Sequence, residues 1–150
     1  MDLEKKSIER IKAASDMSLH YYGQPLVCTY SGGKDSGVML ELFRRAGVPF
    51  EVSNSHTTVD APPTVYHIWD VFRELEAQGV KATIHKPALS MWRLIEKKKC
   101  PPGRVQRYCC EYLKENTVKN RFVATGVRWA ESQRRKNRTE VEPKIGRAHV

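Results

Sequence analysis

The run with the clearest chemical content is Ser31-Gly32-Gly33-Lys34-Asp35-Ser36. Two adjacent glycines let a backbone turn sharply and come close to a ligand. If a helix starts directly after them, its unpaired first N–H groups and positive dipole end face an anion. Ser31 and Ser36 add hydroxyl donors and Lys34 adds a positive charge, so the run reads as a phosphate cradle. The spacing is neither G-x-x-x-x-G-K-[ST] nor G-x-G-x-x-G, which excludes a Walker-type NTPase loop and a dinucleotide fingerprint. The competing reading is a glycine-rich turn that holds no ligand.

A second run, Gly126-Val127-Arg128-Trp129-Ala130-Glu131-Ser132, combines a glycine, a guanidinium able to grip phosphate or sulfate in two places, and an acid that can hold that arginine. Arg134 and Arg135 extend the positive charge, while a surface ion pair between Arg128 and Glu131 is the plainer alternative. Asp60 lies between His56-Thr57-Thr58-Val59 and Ala61-Pro62-Pro63. It either touches ribose, adenine or a metal, or caps a helix starting near Ala61. Cys100, Cys109 and Cys110 sit among cations and are candidate metal ligands, since thiolates are soft anionic ligands. The alternative for them is packing as small apolar groups. Cys28, inside an apolar run, reads as core.

These groups need elements to position them. Residues 3–21 carry Leu3, Ile8, Ile11, Ala14 and Leu19 at helical spacing, and Gly23-Gln24-Pro25 ends the pattern. Leu26–Tyr30 predicts a buried strand running straight into Ser31. Asp35–Ala46 predicts a helix stopping at Gly47, Pro49–Ser53 a strand, Ala61–Gln78 a helix opening with prolines, and Lys81–His85 a strand. Leu89–Lys98 and Cys109–Lys119 predict helices, and Arg121–Thr125 a strand ending at Gly126. Alternating strands and helices predict an α/β fold with a parallel sheet and helices on both faces.

With 150 residues and 40% apolar content, the chain is sized for one domain with a real core. The charged start, MDLEKKSIERIK, is unlike a signal peptide, and no apolar run reaches membrane-spanning length. A soluble, cytoplasmic protein is expected, in which four cysteines serve as thiols, ligands or redox groups rather than a disulfide framework. The net charge of +9 is concentrated after residue 93 and fits a nucleotide partner, a nucleic-acid partner or simple bulk solubility, among which charge alone does not choose. Ile145-Gly-Arg-Ala-His-Val150 matches one reading frame of a common sequencing adapter. The expected domain is therefore 1–144, with 145–150 set apart as artefact and a natural chain continuing past Lys144.

Ser31–Ser36 after a buried strand resembles the PP-loop signature of the adenine nucleotide alpha-hydrolase superfamily. The G-x-R-x-x-E-S segment at Gly126–Ser132 is similar to that of phosphoadenosine phosphosulfate (PAPS) reductases, and so are the His56–Tyr66 segment and the R-x-C-C-x-x-L-K stretch at Arg107–Lys114. The resemblance covers most of residues 25 to 135 and implies a Rossmann-like PP-loop (HUP-type) fold, incomplete at its C-terminus. It also implies an adenine nucleotide held by Ser31, Gly32, Gly33, Lys34, Asp35, Ser36, Asp60, Gly126, Arg128 and Glu131, with Lys34, Arg128, Cys109 and Cys110 in catalytic roles. That nucleotide would be PAPS, adenosine phosphosulfate, or ATP with Mg2+. In iron–sulfur members a paired cysteine run is completed by a later C-x-x-C, which implies a [4Fe-4S] cluster ligated through Cys109, Cys110 and Cys100 in a longer protein. No cysteine follows Cys110 here.

Three readings follow. The first is a PAPS reductase-like oxidoreductase or sulfur-transfer enzyme served by a thioredoxin-like reductant. The second is an adenylating ATP pyrophosphatase that transfers sulfur to tRNA or DNA, and the third a non-catalytic nucleotide-binding module.

Overall fold

A computed structural model describes residues 2–115, 117–127, 139, 141–144 and 147–149. Helix α1 (Leu3–Tyr22) is capped by Asp2, whose carboxylate accepts from the Glu4 amide at 3.1 Å, and ends at Gly23 in a left-handed conformation. The chain then alternates as expected: β1 (Leu26–Thr29), α2 (Lys34–Ala46), β2 (Phe50–Ser55), α3 (Pro62–Ala77), β3 (Ala82–His85) and α4 (Met91–Lys98). A short α5 (Tyr108–Cys110) runs into a π-helical turn at Glu111–Glu115, and β4 (Phe122–Ala124), β5 (Glu142–Lys144) and β6 (Arg147–His149) follow.

The predicted helix over 109–119 is thus shorter than its pattern. Past Glu115 the Thr117 hydroxyl donates to the Lys114 carbonyl at 3.1 Å, and Asn120 turns to a positive φ of 54°, off the helical path.

The sheet order is β3-β2-β1-β4-β6-β5. Every neighbouring pair is parallel except β5 with β6. A two-residue connection from Lys144 to Arg147 can only reverse direction, because a parallel return needs a crossover of a dozen residues. The wholly parallel sheet expected from the alternation therefore gains one antiparallel edge.

Side chains alternate across a strand, so Leu26, Cys28 and Tyr30 share one face. They join Ile11 and Ala14 of α1, Leu40 and Phe43 of α2, and Ile68, Phe72 and Leu75 of α3 in the main core. On the other face Val27, Ser53 and Val123 are buried too, as in a parallel sheet covered on both sides. A separate small cluster forms from Leu94 of α4, Tyr108 of α5 and Leu113.

The strand starts are tied by one charged group. Arg121 donates to the Pro25 carbonyl at 2.7 Å and pairs with Glu51 at 3.2 Å, and Glu51 also meets Lys81 at 3.6 Å. That end is structural. The opposite end is where the topology places a ligand: from β1 the chain moves outward to β2 and β3, then returns to the other side of β1 for β4. The crevice of such a sheet opens at the carboxyl ends of β1 and β4, where the order reverses.

Candidate functional site

The loop after β1 and the loop after β4 meet in that crevice. Gly32 has φ +76°, and a Cβ there would lie 3.0 Å from Ile68 Cγ1 and 3.1 Å from Thr64 Cγ2. Only glycine satisfies both the backbone and the space, so the turn rests directly on the first turns of α3. From β4, Gly126 comes so near the start of α2 that a Cβ would sit 3.4 Å from the Asp35 carbonyl oxygen. Gly126 and the Asp35–Ser36 peptide are thereby brought together.

Ser36 holds the cradle in shape. Its hydroxyl donates to the Gly33 carbonyl at 2.8 Å and lies 3.3 Å from the Ser31 amide and 3.2 Å from the Ser31 hydroxyl. Gly33 caps α2 with extended backbone and no side-chain hydrogen bond. The first amides of α2 thus have no side-chain cap, which is the arrangement that suits an incoming anion. Lys34 stands exposed on the first turn.

Two neighbours clamp the residue before the loop. Tyr30 is buried; its carbonyl accepts from Asn54 Nδ2 at 2.8 Å, and its hydroxyl lies 2.9 Å from His67 Nε2. Burial pushes the Tyr30 phenol above its ordinary pKa, and Arg44 opposes that rise. Asp60 does not cap α3, whose N-cap is Ala61 without a side-chain hydrogen bond. Instead the Asp60 carboxylate accepts from the Thr57 amide at 3.2 Å, closing the turn after β2. Within that turn Thr58 has φ +67°, and its hydroxyl oxygen accepts from the Met91 amide at 2.9 Å, linking the loop to α4. Arg128 and Glu131 lie outside the described residues.

The three outer cysteines occupy the small cluster rather than the crevice. Cys100 and Cys109 pack against Leu94, Tyr108 and Leu113. The Cys100 thiol donates to Gln106 Oε1 at 3.1 Å, and Arg107 Nη2 donates to the Cys110 sulfur at 3.7 Å. The Tyr108 hydroxyl donates to the Cys100 carbonyl at 2.6 Å; burial, then the nearby Cys100 and Cys109, raises its pKa. An open cleft of about 700 Å³ is lined by Lys98, Arg107, Cys100 and Cys110 among others. No group of three or more His, Cys, Asp or Glu side chains is placed to hold a metal among the described residues. Cys28 is wholly buried, and burial pushes its thiol up to about 12.

Sequence reasoning placed the Ser31–Ser36 loop between β1 and α2 but not the groups that support it. The role of Ser36 as the internal tie, the Tyr30–His67 contact and the Thr58–Met91 link depend on tertiary placement. Only the isolated buried-strand position of Tyr30 hinted at any of them.

Comparison with known proteins agrees with this architecture. No curated protein matches the chain. Among solved structures it is similar to the phosphate complex of phosphoadenylyl-sulfate (PAPS) reductase from Candida auris, at 18% identity and a TM-score of 0.52. That match covers 100% of this chain and 79% of the other, and at such identity the likeness is one of fold. The family model for the phosphoadenosine phosphosulfate reductase domain matches residues 25–146, from the start of β1 past both glycine loops. The chain belongs to the phosphoadenosine phosphosulfate reductase domain family.

Proposed function

We propose that this chain binds an adenine sulfonucleotide, PAPS or adenosine phosphosulfate, in the crevice between β1 and β4 and acts on its sulfur in reductive or sulfur-transfer chemistry. The observation that carries this is the start of α2, which has no side-chain cap and is shaped by Ser36, with Gly126 pressed against it. A phosphate there meets helix amides, the hydroxyl of Ser31 and the charge of Lys34. Arg128 grips a second phosphate or the sulfate, Glu131 holds that guanidinium, and Asp60 reaches the ribose side of the nucleotide.

A thioredoxin-like protein is the reductant in this reading and the cytoplasm its setting; Cys109 and Cys110 lie in the small cluster outside the crevice, so no step on the bound nucleotide is assigned to them. The fit of the same cradle to the pyrophosphate of Mg2+-ATP defines the competing, adenylating reading.

Titration of Lys34→Ala and Arg128→Ala against a sulfonucleotide tests the placement. Each variant is expected to weaken binding about tenfold or more, the worth of one charge-assisted contact. Unchanged affinity in both would remove the site from this crevice.

A further inference from the structure

Several cations around the main core have carboxylate partners: Arg44 with Glu74, Arg45 with Glu4 and Glu41, Arg73 with Asp70, and Arg121 and Lys81 with Glu51. On α4 and the loop leading to α5, Arg93, Lys97, Lys99 and Arg104 are all exposed. None of the four forms an ion pair with a carboxylate among the described residues. With Lys98 and Arg107 they outnumber the exposed Glu96 and Glu111 of the same segments, leaving a net positive charge that costs self-repulsion unless an anion neutralises it.

Interleaved with these charges are aromatic rings turned outward. Trp92 is 69% exposed and Tyr112 is 45% exposed, although an indole or phenol ring gains more from burial than almost any other side chain. Lys98 lies over the Tyr112 ring at 5.7 Å from its centre, so charge and ring occupy the same surface. A small anion would use the cations and leave Trp92 in water, and an acidic protein surface offers few flat partners for it. A polyanion whose repeating unit carries both a phosphate and a free aromatic face satisfies both halves of the surface.

From this geometry we propose that the surface formed by α4 and the segment through Tyr112 binds single-stranded nucleic acid, with the cations along the backbone and Trp92 stacked on a base. A duplex does not fit this description, because its bases present edges rather than faces. The inference goes beyond the nucleotide crevice and is tested separately from it: no sulfonucleotide is needed, and the substitutions leave Ser31–Ser36 untouched.

The experiment is fluorescence anisotropy of a labelled oligothymidylate with the full chain across a salt series, with Trp emission recorded in parallel. Binding is expected to fall with salt. Lys97→Glu/Lys99→Glu/Arg104→Glu should lower the slope of log K against log salt by about 2, at about 0.7 per phosphate contact. Trp92→Ala should weaken binding about tenfold while leaving the slope unchanged, and should abolish the quenching of Trp emission on binding. An unchanged slope in the charge-reversed variant, or binding of a duplex or inorganic polyphosphate as tight as that of the single strand, would overturn the proposal.

Discussion

Replacing Gly32 by alanine separates two costs that coincide at this position. The first is backbone: φ is +76°, and an L-residue in the left-handed region loses about 1–2 kcal/mol. The second is space: the new methyl would sit 3.0 Å from Ile68 Cγ1, 3.1 Å from Thr64 Cγ2 and 3.3 Å from Ile68 Cδ1. Ile68 is buried in the main core and cannot swing aside, so overpacking adds about 1–3 kcal/mol. Together the substitution should cost about 3 kcal/mol and lower Tm by about 10 °C for a chain of this size. Two other glycines isolate the terms. Gly47 has φ +65° and open space around it, so Gly47→Ala should show the backbone cost alone, about 1 kcal/mol. Gly33 has extended backbone and a nearest atom at 3.5 Å, so Gly33→Ala should cost under about 1 kcal/mol, the difference between Gly and Ala at an N-cap. Urea unfolding of the three variants gives the order. If Gly32→Ala proves no worse than Gly47→Ala, the turn does not rest on α3 as described; if Gly33→Ala is equally costly, the whole account of the loop fails.

Ser36→Ala removes the hydroxyl that bonds Gly33 and Ser31, and should cost about 1–3 kcal/mol in the same urea assay while loosening nucleotide binding. Arg121→Ala strips Glu51 of its nearer partner and leaves the Pro25 carbonyl without its donor, for about 3 kcal/mol, with no direct effect on the nucleotide end of the sheet. Cys28 makes a pH prediction. Its folded pKa of about 12 lies above the ordinary 9.0, so the unfolded chain releases that proton first as pH rises. The contribution to stability is complete below about pH 9 and is lost as pH climbs toward 12, which alkaline denaturation of wild type against Cys28→Ala measures. In native protein Cys28 should also resist iodoacetamide while other thiols react.

The element order was legible from residues because each helix carries both periodicity and punctuation. Gly23 and Gly47 end α1 and α2 in left-handed caps, and Pro62-Pro63 open α3, just where turn chemistry places them. The loop at Ser31–Ser36 was legible too, since adjacent glycines between an apolar run and a helical pattern mark a tight strand-to-helix turn. What escaped was set by contacts distant in sequence. The antiparallel edge at β5 and β6 falls on a short run containing Pro143 and on residues set apart from fold reasoning. The helical pattern after Tyr108 does not show the turn to a positive φ at Asn120 or the Thr117 hydroxyl meeting that of Ser55 at 2.9 Å. Asp60 had two sequence readings, cap or ligand contact, and the fold gives its carboxylate to the Thr57 amide. Spacing along the chain also could not show that the Cys100 thiol turns toward Gln106 or that Arg107 donates to the Cys110 sulfur.

The most direct measurement is calorimetric titration of the wild-type chain with PAPS, adenosine phosphosulfate and ATP, each with and without Mg2+, alongside Lys34→Ala. The account predicts preferential binding of a sulfonucleotide that needs no Mg2+ and weakens in the variant. Binding of ATP alone, dependent on Mg2+ and accompanied by pyrophosphate release, would contradict it.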